Sequence, residues 1–342
     1  MKTAPRTAVV ICPGRGTYTK TELGSLARFP DRALLADFDA RRMGLGQETL
    51  SALDGAATYS VAKHTRGDNA SALIYACTLG DVLSLKDVQI TAVTGNSMGW
   101  YSALACAGAL SPENGFQVVN TMGTLMQEQL IGGQIIHLFM AEQWFDNPER
   151  KAALLAIAAE INTRPDHALS LSIDLGGMLV LAGNEAGLKA FEAAVPPEQG
   201  RFPMRLANHA GFHTHLQAPV AEMGRARLPQ SLFAQPKTAL IDGRGAIWWP
   251  GATDTGALRD YTLGHQVTEP YDFTAAIRSA ARDFAPDLFV LTGPGATLGG
   301  AALQALILSN WRGLSCKADA QAQNPLLSMA LPDQRILTGA PS

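Results

Sequence analysis

The chain has 342 residues, 47% of them hydrophobic and 17% charged, and a formal net charge of -3, which is the balance of an ordinary globular protein. That near-neutrality, with no run of five or more Lys or Arg, leaves no electrostatic footprint for nucleic acid or an anionic membrane surface, and neither is expected as a partner. The apolar runs at 103–110 and 152–159 fall well short of the roughly 18 to 20 residues of a membrane span. Four cysteines, Cys12, Cys77, Cys106 and Cys316, lack paired C-x-x-C spacing, so neither a metal site nor a disulfide framework is expected.

The N-terminus, Met1-Lys2-Thr3-Ala4-Pro5-Arg6, leads into the short run Ala8-Val9-Val10-Ile11-Cys12, broken at once by Pro13-Gly14. The run is too brief for a secretory segment, and a cytoplasmic location is expected. It has instead the texture of a buried parallel strand entering a loop. Helical spacing follows over 32–53 and 71–83. Residues 90–94 are strand-like and run into Gly95-Asn96-Ser97-Met98-Gly99, after which the Ala-rich segment 101–109 reads as a buried helix. Beyond Gly132-Gly133 the predicted order is strand 134–140, helix 148–160, strands 169–173 and 178–182, helix 185–195 and strand 202–207. That β-α-β-β-α-β order is a ferredoxin-like unit, placed at residues 133–206 and inserted into an α/β unit formed by 1–132 and 207–342. A late strand at 287–291 ends in Gly293-Pro294-Gly295.

A serine flanked by glycines at i-2 and i+2 suits a strained strand-to-helix elbow, because a Cβ at either flank would crowd the turn. Ser97 is therefore the candidate nucleophile, and the backbone N–H of Met98, at the start of the following helix, is a candidate oxyanion donor. A serine hydroxyl needs a base. Of seven histidines, His64, His137 and His167 stand without other chemical signals, His209, His213 and His215 cluster after the inserted unit, and His265 precedes Gln266.

Four segments together resemble the malonyl-CoA:acyl-carrier-protein transacylase family, which includes the acyltransferase domains of polyketide synthases. They are Pro13-Gly14-Arg15-Gly16, Gly95-Asn96-Ser97-Met98-Gly99 continuing through Tyr101-Ser102-Ala103, Phe212-His213-Thr214-His215-Leu216 with Pro219, and Gly293-Pro294-Gly295. The resemblance implies a large α/β-hydrolase-like subdomain with a parallel sheet plus the inserted ferredoxin-like subdomain. It selects His213 as the base, since Leu216 and Pro219 fall at the family offsets, and leaves His215 a bystander. It further implies a Ser-His dyad whose base is oriented by the backbone carbonyl of Gln266, and an oxyanion hole completed by the backbone N–H of Arg15. Acyl-CoA and the phosphopantetheine of an acyl carrier protein are the implied substrates, with no permanently bound cofactor.

Three positions of the expected pocket depart from the family. Asn96 stands for a histidine, Trp100 for an acidic or amide residue, and Met122 for the arginine that pairs with the malonyl carboxylate. With Asn96, Trp100 and Met122 lining the substrate pocket, an uncharged acyl group is expected, because burying a carboxylate without a partner costs several kcal/mol. Arg15 replaces a glutamine and is expected to face solvent; an inward-facing Arg15 is the alternative that would restore a carboxylate partner. The competing readings are a thioesterase working through the same dyad, an ordinary α/β-hydrolase using Ser97, Asp242 and His265, and a non-catalytic carrier-binding scaffold.

Overall fold

The structure, a computed structural model, describes residues 5–341. Residues 1–4, where the N-terminal segment considered above begins, and residue 342 lie outside the described residues. Eleven strands occur among the described residues, in chain order β1 (Arg6–Cys12), β2 (Val88–Gly95), β3 (Gly133–Leu138), β4 (Leu169–Leu175), β5 (Met178–Gly183), β6 (Met204–Arg205), β7 (Ala239–Ile241), β8 (Ile247–Trp248), β9 (Tyr271–Asp272), β10 (Leu288–Leu291) and β11 (Leu326–Ser328). They make two sheets, one of order β11-β10-β1-β2-β7-β8 and one of order β6-β3-β5-β4-β9.

In the first sheet all pairings except β7–β8 are parallel. Parallel strands are covered on both faces, which is why β1 reads as a continuous apolar run; Ala8 through Cys12 are fully buried. The helix Gly67–Ser84 is buried nearly all round and packs on Pro112–Gln129. The latter begins at Ser111, whose Oγ accepts from the Asn114 N–H, with Pro112 in its first turn, a start that pre-sets φ and satisfies a free donor. Buried Arg42 ties this layer together by donating to the Asn69 and Asn120 side chains at 2.6 and 2.7 Å.

The second sheet pairs β3, β4, β5 and β6 antiparallel, and β9 joins its edge parallel to β4. Thus a strand from beyond residue 206 completes a sheet otherwise built from 133–205. Two segments differ from expectation. The helical stretch 32–53 is two helices, Arg32–Gly44 and Leu50–Asp54, divided where Gly46 takes φ +70°. The strand at 202–207 contracts to Met204–Arg205, since Pro203 has no N–H to give to a ladder.

Candidate active site

The elbow is built by close backbone approach. A Cβ on Gly95 would lie 2.3 Å from the Gly99 carbonyl, and one on Gly99 would lie 2.2 Å from the Cys12 carbonyl oxygen. Both glycines are therefore required by space. Ser97 itself sits at φ +56°, a left-handed conformation that costs a non-glycine residue roughly 1–2 kcal/mol. The turn after β1 meets the elbow from the other side: the Asn96 N–H donates to the Cys12 carbonyl at 3.0 Å, and a Cβ on Gly14 would lie 2.6 Å from the Asn96 carbonyl oxygen.

The Ser97 hydroxyl lies 2.7 Å from His213 Nε2, and His213 Nδ1 lies 2.6 Å from the Gln266 carbonyl oxygen. A carbonyl only accepts, so Nδ1 carries the proton and Nε2 presents its lone pair to Ser97. Burial pushes the His213 imidazole down to about 4, with Gln266 opposing and the nearby Arg15 charge reinforcing; the ring is neutral at pH 7. The side-chain amide of Gln266 donates to the Ser97 carbonyl at 3.0 Å and accepts from the Tyr101 hydroxyl at 3.0 Å. The Tyr271 hydroxyl donates to the Gly95 carbonyl at 2.6 Å. Neither the Met98 nor the Arg15 backbone N–H donates to any group among the described residues, so both remain free for an oxyanion.

A cavity of about 610 Å³ opens beside Ser97 between the two sheets. Its walls are predominantly apolar, with Ile136, Ile173, Met178 and Val180 from the second sheet, and it also reaches Asn96, His64 and His209. Asn96 thus lines this cavity. Trp100 and Met122 do not. Trp100 is fully buried, donates its Nε1–H to Thr262 at 3.0 Å and meets Tyr261 edge-on at 5.3 Å; one helical turn beyond Ser97, it faces the interior. Met122 is also fully buried, its sulfur seated where a Cβ on Gly224 would come within 2.7 Å, so it is spent on packing between helices. Met122 lines neither cavity beside Ser97, and that helix position still presents no cation.

Arg15 does not face solvent as expected. It lines the cavity beside Ser97, donates through Nη1 to the Asn208 carbonyl at 3.2 Å and lies 4.4 Å above the Phe212 ring. Its Nη2 is buried without a hydrogen-bond partner.

Among the described residues no other histidine hydrogen-bonds to Ser97. His64 is buried against the Leu53 and Ser60 carbonyls, and His215 is exposed. His265 stacks on Tyr261 at 5.5 Å, while Asp242 is bound by Arg244 and Trp248, so the Ser97-Asp242-His265 order forms no triad. Phe212 and Tyr101 stand within the sequence motifs but carry no assigned role there; Tyr271, in a strand of two residues, carries no sequence signal.

No protein-family model matches the chain. The malonyl CoA-acyl carrier protein transacylase of Salmonella typhimurium is 24% identical over 211 residues, covering 61% of this chain and 63% of that protein. Polyketide synthase GfsB of Streptomyces halstedii is 26% identical over 212 residues, covering 62% of this chain and 4% of that protein. The chain therefore spans less than two thirds of the length of these curated relatives. In structure, it matches the malonyl-CoA:acyl carrier protein transacylase of Xanthomonas oryzae with a TM-score of 0.76 at 19% identity, covering 99% of this chain and 100% of the other. It also matches a chain from the structure of a type II polyketide synthase acyl-carrier protein in complex with its malonyl-transacylase, with a TM-score of 0.72 at 18% identity over 97% and 98% of the two chains. The α/β architecture, a large α/β-hydrolase-like unit with a parallel sheet and a smaller ferredoxin-like unit, is the fold of these neighbours. Over three fifths of its length the chain is similar in sequence to malonyl-CoA:acyl-carrier-protein transacylases, and it shares their fold.

Proposed function

We propose that the chain is an acyltransferase that moves an acyl group between thioesters through an acyl-Ser97 intermediate. The observation that carries this reading is the relay from the Ser97 hydroxyl through His213 to the Gln266 carbonyl, at 2.7 and 2.6 Å. Ser97 Oγ attacks the thioester carbonyl as His213 Nε2 takes the hydroxyl proton. The oxyanion is received by the Met98 and Arg15 backbone N–H groups. Collapse breaks the C–S bond, and the leaving sulfur takes the proton from His213. A second thiol then attacks acyl-Ser97, giving its proton to Nε2, and the regenerated serine recovers that proton.

The donor is a coenzyme A or carrier thioester and the acceptor the phosphopantetheine thiol of an acyl carrier protein, a partner supported by the carrier complex among the structural neighbours. A cytoplasmic setting fits such substrates. The apolar walls of the 610 Å³ cavity favour a thiol acceptor over water, which separates this reading from a thioesterase with the same relay.

Intact-mass measurement after exposure to a panel of acyl-CoAs tests the intermediate. An adduct on the native chain and none on Ser97→Ala is expected. No adduct with any thioester would leave a carrier-binding scaffold as the better reading, and free acid exceeding acyl-carrier product would leave a thioesterase.

A further inference from the structure

We propose that His209 is a binding residue for the thiol arm of the substrate, its Nε2 accepting a hydrogen bond from the arm's amide N–H nearest the sulfur. The inference rests on the acyl-Ser97 reading and names a contact within it. A chain of hydrogen bonds with only one possible direction fixes the tautomer of His209. The Ser172 hydroxyl lies 2.8 Å from the Phe212 carbonyl oxygen, which only accepts, so the hydroxyl donates there and accepts from the Gln134 side-chain N–H at 2.7 Å. Gln134 therefore turns its oxygen to His209 Nδ1 at 2.8 Å, and that nitrogen carries the proton. Nε2 is left with a lone pair. It has no hydrogen-bond partner among the described residues, yet it is not one of the unpartnered atoms enclosed by protein, so it is open to an incoming donor. Burial and the nearby Arg15 charge hold the imidazole well below its ordinary range, and at pH 7 Nε2 stays an acceptor.

Two cavities meet at Ser97. The smaller, of about 20 Å³, holds about one water-sized group, so a thiol arm reaching in from a carrier lies in the larger, of about 610 Å³. His209 lines that larger cavity together with Gln134, among Ile136, Met178 and Val180, and lies edge-on to Phe212 at 5.9 Å. Phe212 borders both cavities, which places His209 on the stretch of wall next to Ser97 and selects the first amide of the arm, two carbons from the sulfur. On a wall that is largely apolar, an accessible acceptor of fixed tautomer offers an amide N–H a partner that a hydrocarbon link cannot use. The chain through Gln134 and Ser172 ends on Phe212, the residue before His213, so the group that binds the arm and the base that serves Ser97 share one support.

The test compares butyryl thioesters of two arms, N-acetylcysteamine and its ketone isostere in which CH2 replaces the amide N–H. Rates of Ser97 acylation are measured by quenched-flow intact mass. The native chain is expected to favour the amide arm by about 5- to 50-fold. Equal rates would overturn the assignment while leaving the acyl-enzyme intact, and this comparison needs no variant. In His209→Phe the amide-to-ketone ratio is expected to fall to near unity, with His209→Gln, which can place an oxygen where Nε2 stood, keeping part of it. A His209→Phe chain that loses rate with both arms and keeps the ratio would reduce His209 to a support for Gln134 and Ser172, and would overturn the proposal. The 3-hydroxybutyryl thioester of the ketone arm supplies a donor on the acyl side instead. Recovery of the rate by that hydroxyl, lost again in His209→Phe, would assign Nε2 to the acyl group and also overturn it. Absence of any adduct on the native chain would sink the acyl-Ser97 reading and this inference together.

Discussion

Gln266 holds the nucleophile and the base at once: its amide donates to the Ser97 carbonyl at 3.0 Å and its own carbonyl accepts from His213 Nδ1 at 2.6 Å. A strained serine at φ +56° and the imidazole that serves it are therefore positioned by one residue. In Gln266→Ala the carbonyl survives but the Ser97 tether and the Tyr101 partner are lost. Two buried hydrogen bonds at about 1 kcal/mol each predict a fall in single-turnover acylation of about 10- to 30-fold. Tyr101→Phe, which removes one of them, is expected to show the smaller loss, and equal losses would contradict this.

His213→Ala is expected to lower acylation by about 10²- to 10⁴-fold, the range of a lost general base. His265→Ala, stacked on Tyr261 away from Ser97, is expected to acylate at the native rate. Reversal of that order would restore the hydrolase reading.

The base predicts a pH profile. Neutral imidazole is the competent form, and burial holds His213 down to about 4, so acylation by an uncharged thioester is expected to rise through pH 4 and level off from about pH 5 upward. Stability carries the matching sign. The folded chain resists the proton that the unfolded chain accepts below about pH 6.5, so this group makes stability fall as pH drops from about 6.5 to 4, by on the order of 3 kcal/mol. Urea denaturation midpoints across that window, compared with those of His213→Gln, measure it.

Two glycines separate space from conformation. Gly99→Ala places a Cβ 2.2 Å from the Cys12 carbonyl oxygen and is expected to cost more than about 3 kcal/mol or to prevent folding. Gly300, in the helix Leu298–Leu308, has nothing within 4 Å of an added Cβ, and Gly300→Ala is expected to stabilise by about 0.5–1 kcal/mol. Thermal melting of both variants decides.

The late Gly293-Pro294-Gly295 turn is anchored by charge. Asp81 accepts from the Gly293 N–H at 2.9 Å and is paired with buried Arg335. Arg335→Met would strand the carboxylate and is expected to cost about 3–5 kcal/mol, with Asp81→Leu in the same chain returning part of it. Additive losses in a double-mutant cycle would contradict the pairing.

The sequence made legible what periodicity and glycine spacing encode. β10 is an apolar run, β1 contains one over Ala8–Cys12, and Gly95 and Gly99 announce an elbow because no other residue fits there. It did not make legible where long side chains point. Trp100 and Met122 lie on helices whose inward faces are set by partners remote in sequence, Thr262 and Gly224. Arg15 turns inward because Asn208 and Phe212, nearly two hundred residues later, give its guanidinium a seat. Two-residue β9 has no period to detect.

That short strand sets how the cleft can behave. Tyr271 is a rung of the second sheet through Ile173 and also clamps Gly95 at the floor of the elbow. The gap between the sheets is thereby a slot of fixed gauge: prising it wider would tug on the turn that holds Ser97. On the acyl-Ser97 reading, an incoming acyl arm would thread a preset opening, with adjustment falling to side chains such as Met178 along its wall.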